Sequence, residues 1–389
     1  MRVCLVTSTF LPSFTGGREI HVYGLAKALI KQGIDVVIVT GDNVTNVLQH
    51  QIEGITIFRV PYIREISLKG ANEEIPYRVI SPQLFKIFDL VKPDIVHAHD
   101  IKHFTSDAAA IWSAISSTPF VLTVHGIYYK QSKLTKSLYL IHDLTLNLIT
   151  LNVARKIIVV SRSLVKFPLT LFRHKIIYIP NAILSDYLSN EEVYNVNFRR
   201  IYGIPDDALL VITIGRLTYQ KGIDLLIKAW KKIWKVAQAP KAVLVVIGPV
   251  VSQEYYKQLL KLAEGADNVI FTGKVSTTLL KSALRDADVF VLASRDEGFP
   301  TVLLEAMYYG KPIIATSVGA IPDIAHNMVN SILIKPNNIE DLAKALSVIL
   351  SDDRLRRKLS INARLTGTFF CWDNLIKHII RIYEEVLRR

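Results

Sequence analysis

Short runs of β-branched and aliphatic residues alternate with longer stretches of helical period along nearly the whole chain. A first series predicts strands at 2–7, 35–40, 55–60, 94–97, 120–124 and 156–160. A second predicts them at 209–214, 242–247, 268–272, 288–292, 312–315 and 331–334. Most are unbroken apolar runs rather than alternating ones, the mark of strands buried on both faces. Helical patterns lie between them, among others over 20–31, 225–236, 279–285 and 339–350. Alternation of this kind predicts parallel sheets flanked by helices. Right-handed crossovers then make each series a doubly wound, Rossmann-like unit, the two units facing one central cleft.

Residues 181–205 break the pattern, being polar and without a clear strand, so the domain boundary is expected there. This gives domains 1–185 and 186–370, and a closing helix over 371–389 that follows the second series but is free to pack on either half. The length of 389 residues agrees, being too long for one core at roughly 100–200 residues per domain. With 50% hydrophobic and 21% charged residues, disordered and low-complexity classes are excluded. Cys4 and Cys371 are the only cysteines, which excludes a disulfide framework and points to a reducing compartment. The purest apolar stretch, 242–251, is about ten residues against the roughly 20 that span a membrane. The N-terminus lacks the apolar core of a secretion signal, so a cytoplasmic protein is expected.

Charge changes the picture in one place. Within a formal net charge of +13, the segment from Lys130 to Lys175 carries nine Lys and Arg residues against Asp143 alone. That is either a solvated face or a docking surface for an anionic membrane or a phosphorylated acceptor. Tyr128, Tyr129 and Tyr139 form no stacking array there, so nucleic acid is not an expected partner.

Open α/β sheets bind ligands beyond the carboxyl ends of their strands, so each motif is weighed by the strand end it occupies. Strand 209–214 runs into Gly215-Arg216-Leu217-Thr218-Tyr219-Gln220-Lys221-Gly222. An Arg fork and a Lys point charge at that end suit a diphosphate, the alternative being two surface cations. Strand 288–292 runs into Ser294-Arg295-Asp296-Glu297-Gly298-Phe299-Pro300-Thr301 and a helix. Backbone N–H groups at that helix start, near Phe299 and Thr301, make an anion site. Glu297 lies in the loop and Glu305 in the helix, where it could simply complement the helix dipole in the first turn. In the first half, Gly16-Gly17-Arg18-Glu19 precedes a helix, and strand 120–124 ends in His125-Gly126. A lone His at a strand end is more often structural than functional. His97-Ala98-His99-Asp100 puts two His on one strand face with His103 following, a metal pattern without a third ligand at dependable spacing. Asp286 and Asp288 resemble a metal-binding acidic pair but precede their strand, on the wrong side of the sheet.

Taken together, these residues resemble glycosyltransferase family 4, the retaining nucleotide-sugar transferases of GT-B fold. The likeness spans the chain and rests on Gly16-Gly17-Arg18-Glu19, His125-Gly126, Ile179-Pro180-Asn181, Arg216 with Lys221, and the Glu297 to Glu305 element. Trp372 and the closing helix resemble the family's segment that crosses back onto the first domain. The resemblance implies transfer of a sugar from a nucleoside-diphosphate sugar to a hydroxyl acceptor, a glycan, lipid-linked glycan or small molecule. It implies retention of configuration and no cofactor or divalent metal. Arg216 and Lys221 would hold the diphosphate together with Gly298, Phe299, Pro300 and Thr301. Glu305 would hold the ribose, and Gly273 and Val275 would read the nucleobase through backbone. Glu297 and His125 would contact the donor sugar, with Gly16 and Gly17 approaching phosphate or acceptor. Three positions depart from the family pattern: Gly319-Ala320 where Gly-Gly is common, Asn181-Ala182 for Asn-Gly, and Ser331 for Gly. The rival readings are a GT-B isomerase or phosphorylase, and an inactive scaffold docked on membrane through the basic segment.

Overall fold

The computed structural model describes residues 1–13, 16–69, 74–126, 140–188, 195–234 and 241–388. The chain divides into two compact units: residues 1–182 together with 372–389, and residues 183–371.

The first unit contains β1 (Arg2–Thr7), β2 (Asp35–Asp42), β3 (Leu48–Ile52), β4 (Ile55–Lys69), β5 (Glu74–Ile80), β6 (Ile95–His99), β7 (Phe120–Val124), β8 (Lys156–Val159) and β9 (Ile176–Tyr178). Their order is β3-β4-β2-β1-β6-β7-β8-β9, with β5 paired to β4. Every pairing is parallel except those of β3 and β5 with β4. The apolar runs are buried as their composition demands: β1 beyond Arg2, all of β6 and all of β7 are inaccessible. The pattern did not predict β3, β5 and β9. The first has a mostly exposed polar sequence, LQHQI, and the last is only Ile-Ile-Tyr.

Helix Trp372–Leu387 completes this unit. Its buried residues, Trp372, Leu375, Ile376, Ile379, Ile382, Tyr383 and Val386, recur at helical spacing and form one apolar stripe. The polar face is tied down too, by Lys31–Asp373 at 3.0 Å, Lys156–Glu385 at 2.9 Å and the Arg155 guanidinium on the Val386 carbonyl at 2.5 Å.

The second unit contains β10 (Leu209–Ile214), β11 (Ala242–Ile247), β12 (Val269–Gly273), β13 (Val289–Leu292), β14 (Ile313–Thr316) and β15 (Ile332–Ile334). Their order, β12-β11-β10-β13-β14-β15, is parallel throughout. Counted from its own first strand this is 3-2-1-4-5-6, the doubly wound order whose direction reverses between β10 and β13. The same reversal occurs in the first unit between β1 and β6. Ligands of such sheets sit beyond the carboxyl ends at these two points. Trp230, Leu226, Leu244, Val291 and Leu346 are among the fully buried residues that weld helices to the second sheet. Each such side chain contributes roughly 1.5–3 kcal/mol.

The segment joining the series is less plain than its polarity suggests. It includes short helices Ser185–Leu188 and Phe198–Ile201, and Ile183 bridges to Cys371.

Candidate functional site

In the second unit, Arg216 and Lys221 follow β10, and Ser294 to Thr301 follow β13, on the two sides of the switch point. The Lys221 ammonium lies 2.7 Å from Glu297 Oε1, and the Ser294 hydroxyl donates to the same oxygen at 2.5 Å. Glu297 is buried, Lys221 half-buried and Arg216 exposed. The two loops are clamped by a residue pair the sequence reading passed over. Arg295 forks onto both carboxylate oxygens of Asp224 at 2.7 Å, donates to the Tyr219 carbonyl at 2.7 Å, and lies 3.7 Å over the Tyr219 ring. Burial opposes ionisation of Asp224, but the Arg295 fork and the Tyr255 hydroxyl hold its carboxyl below the ordinary range.

Backbone approach is close along this edge. Gly215 N–H donates to the Ile247 carbonyl, and Gly248 N–H to the Gly273 carbonyl, at 2.9 and 3.0 Å. A Cβ on Gly248 would sit 1.9 Å from the Gly215 oxygen, so only glycine lets these strand ends lie side by side. Val275 follows at the end of β12. Gly319, the retained half of the expected Gly-Gly pair, has φ +54°, and a Cβ there would sit 1.7 Å from the Glu297 carbonyl oxygen. Its partner Ala320 is wholly buried, its N–H donating to the Gly298 carbonyl at 3.3 Å.

Helix Thr301–Tyr308 starts after Pro300 with no side-chain cap. Its first turn contains no acidic residue, so the dipole alternative for Glu305 fails: this carboxyl sits at the fifth helical position, beyond the reach of that effect. Burial pushes its pKa up to about 7, with Lys281 opposing. Asp286 and Asp288 are structural, as their place before β13 implied. They accept the Phe198 and Leu210 N–H groups, at 3.1 and 2.7 Å.

The first unit gathers a second group of residues at its own switch point. Gly16 precedes and Gly17 opens helix Gly17–Lys31, which carries Arg18, Glu19 and His21. Arg18 contacts Asp100 at 3.0 Å, Glu19 at 2.9 Å, Thr9 at 2.6 Å and His103 at 3.1 Å. Asp100 also accepts the His125 N–H at 2.7 Å, and adopts φ +73°, a conformation costing a non-glycine residue on the order of 1–3 kcal/mol. His125 is not a lone histidine. Its Nε2 lies 3.0 Å from His99 Nδ1, and His21 packs edge-on at 4.6 Å between ring centres. His97 stacks on His99 at 4.5 Å and has both nitrogens engaged, by Tyr383 at 2.6 Å and Thr123 at 2.7 Å. Burial pulls His97 and His125 down to about 3, and His21 and His99 well below the ordinary value, so all four rings are neutral at pH 7. Sequence reasoning found His97, His99 and His125 but not His21. Its only signal was a polar residue on the apolar face of the helix.

Comparison with known proteins agrees with this layout. The model for "Glycosyltransferase Family 4" matches residues 15–186, and that for "Glycosyl transferases group 1" matches residues 196–366. An uncharacterised glycosyltransferase of Methanocaldococcus jannaschii is 30% identical over 407 residues, covering 99% of this chain and 98% of the relative. The GPI3 subunit of phosphatidylinositol N-acetylglucosaminyltransferase from Saccharomyces cerevisiae is 23% identical, covering 99% of this chain and 83% of its own. Among solved structures, Anabaena HepE in complex with UDP and glucose superposes with a TM-score of 0.75 at 18% identity, covering 99% of this chain and 100% of its own. That likeness bears on fold, and the paired parallel-sheet units are those of GT-B glycosyltransferases. With family models on both units and a relative matched end to end, the chain belongs to glycosyltransferase family 4.

Proposed function

We propose that this glycosyltransferase takes its sugar from a nucleoside-diphosphate donor, without a divalent metal and with retention of configuration. The observation that carries the reading is the Lys221–Glu297 pair, fixed at the carboxyl-end switch point of a 3-2-1-4-5-6 sheet beside Arg216. As the glycosidic bond to the donor breaks, the departing diphosphate gains charge. Preorganised cations stabilise that charge, one such group being worth about 3 kcal/mol. Arg216 and Lys221 supply the cations that a metal would otherwise provide. The uncapped start of helix Thr301–Tyr308, with Gly298, Phe299 and Thr301 before and at it, offers backbone N–H groups to the same phosphates. Pro300, lacking an N–H, fixes the chain's entry.

Glu305 is assigned the ribose hydroxyls, and the backbone near Gly273 and Val275 the base. Glu297 is assigned the donor sugar. The sugar-directed role of His125, and acceptor recognition near Gly16 and Gly17, belong to the first unit. The HepE complex contains UDP and the GPI3 name contains phosphatidylinositol, which support a uridine nucleotide and a lipid-borne hydroxyl as the first donor and acceptor to try.

Contact with an anionic membrane is part of this reading. Leu140, Ile141, Leu144, Phe167 and Leu171 are exposed among the cations of the basic segment. Its stretch from Lys130 to Tyr139 lies outside the described residues. No helix among the described residues is long and apolar enough to cross a membrane.

The test is thermal unfolding of EDTA-treated protein with UDP, GDP and ADP. A nucleotide at about 100 times its Kd adds roughly 2.7 kcal/mol. A shift with one nucleotide that vanishes in Lys221→Ala supports the donor assignment. No shift with any of the three overturns it.

A further inference from the structure

We propose that His21, His99 and His125 form a binding site for one divalent ion of the zinc class, separate from the donor chemistry of the second unit. One nitrogen from each of the three rings can be chosen so that all lie within 4.8 Å of one another. The ring centres are 4.6 Å (His21–His125), 5.3 Å (His99–His125) and 5.7 Å (His21–His99) apart. Metal–nitrogen bonds of ~2.0–2.1 Å in tetrahedral arrangement hold three imidazole centres about 5 Å apart, so the rings already have the spread of a three-histidine site. They come from three separate elements: the helix after β1, the last residue of β6 and the residue after β7. The parallel register that pairs His99 with Thr123 sets two of them side by side.

The nitrogens that converge include His99 Nδ1 and His125 Nε2, whose mutual contact at 3.0 Å an ion bound between the rings would replace, whereas the neighbouring His97 has both nitrogens held by Tyr383 and Thr123. Burial keeps the rings neutral at pH 7, the form that ligates. Charge does not forbid a cation. Arg18 faces His99 and His125, but it carries two carboxylates, Glu19 and Asp100, and the group nets one negative charge. Three imidazoles with no thiolate suit zinc, cobalt or nickel, leaving a further coordination position for an oxygen ligand.

Resting on the sugar role proposed for His125, metal occupancy takes that imidazole from the donor. Zinc would then inhibit transfer and EDTA would restore it. The site itself is tested without reference to activity. Untagged protein is freed of metal and titrated with Co²⁺. Visible absorption saturating at one equivalent and displaced by Zn²⁺ is expected; absence of such a band overturns the proposal. His21→Phe and His99→Phe should weaken Zn²⁺ binding by more than the roughly 10–100-fold that loss of an outer partner costs. Unchanged binding in either overturns it. Should the variants fail to fold, Zn²⁺ protection of His21, His99 and His125 in wild-type protein against diethylpyrocarbonate, read by peptide mass spectrometry, decides the matter. Equal labelling with and without Zn²⁺ overturns the site.

Discussion

Replacing Glu305 by Gln separates what this carboxyl costs the fold from what it does for a ligand. Glu305 is 8% exposed, and burial lifts its pKa from 4.5 to about 7. In the folded protein the proton stays bound up to neutral pH, while in the unfolded chain it leaves near 4.5. Between those values unfolding releases a proton, so raising the pH favours the unfolded chain. The stability associated with this group is therefore fully present below 4.5 and lost as pH rises through 7. An interval of roughly 2.5 pH units at about 1.4 kcal/mol per unit gives about 3 kcal/mol of destabilisation at pH 8. Gln has nearly the same shape and no charge. Glu305→Gln is thus expected to be more stable than the parent at pH 8, by up to about 3 kcal/mol, and to lose that advantage at pH 4.5.

Nucleotide binding should move the opposite way. A carboxylate accepting ribose hydroxyls contributes about 1.5–3 kcal/mol, so the variant should bind its nucleotide about 10–150-fold more weakly at pH 8. Urea unfolding from pH 4.5 to 8 measures the first effect and calorimetric titration the second. Near pH 6.5 the parent should also release a proton on binding, visible as heats that change with the buffer's ionisation enthalpy. A stability difference that does not vary with pH would refute the desolvation argument. Unchanged nucleotide affinity would refute the ribose assignment while leaving that argument standing.

Lys221→Ala should cut transfer at least about 100-fold, the value of one cation at a developing charge, with an unchanged circular dichroism spectrum; transfer at the parental rate would sink the electrostatic assignment. Gly319→Ala should lower both melting temperature and transfer. Its Cβ must push the Glu297 backbone aside, and the left-handed conformation adds about 1–2 kcal/mol; parental values of both would show that the loop gives way freely. Tyr383→Phe leaves His97 Nδ1 without its bond to the closing helix and should cost about 1–3 kcal/mol in urea unfolding. A change under about 0.5 kcal/mol would mean that His97 finds another partner.

What the sequence made legible was whatever depends on local pattern. A strand buried on both faces must be apolar throughout, so β1, β7, β10 and β11 could be read at their full extent. Motifs at strand ends could then be assigned to the ligand side of the sheet, which singled out Arg216, Lys221, Glu297 and His125. β3 stayed hidden because its exposed polar residues contribute little to a core, and its pairing with β4 is set by β4 and the intervening turn. The chemistry lost to the sequence reading is that made by register. Ser294 reaches Glu297 three positions on, a spacing without a recognised signature. Arg295 meets Asp224 across 71 positions, because β10 and β13 lie side by side. The histidines make the point most sharply. His97 and His99 share a strand face by simple alternation, which the sequence gives no reason to connect with His125, 26 positions beyond His99. Only the alignment of β6 with β7 brings His99 to His125, and only the helix after β1 brings His21 to both. A pattern with two metal ligands and no third within reach in sequence therefore becomes, in three dimensions, a cluster of three neighbouring rings. Ligand sets assembled at a switch point come from different strand ends by construction, so their spacing in sequence follows the lengths of the intervening crossovers and not the chemistry of the site.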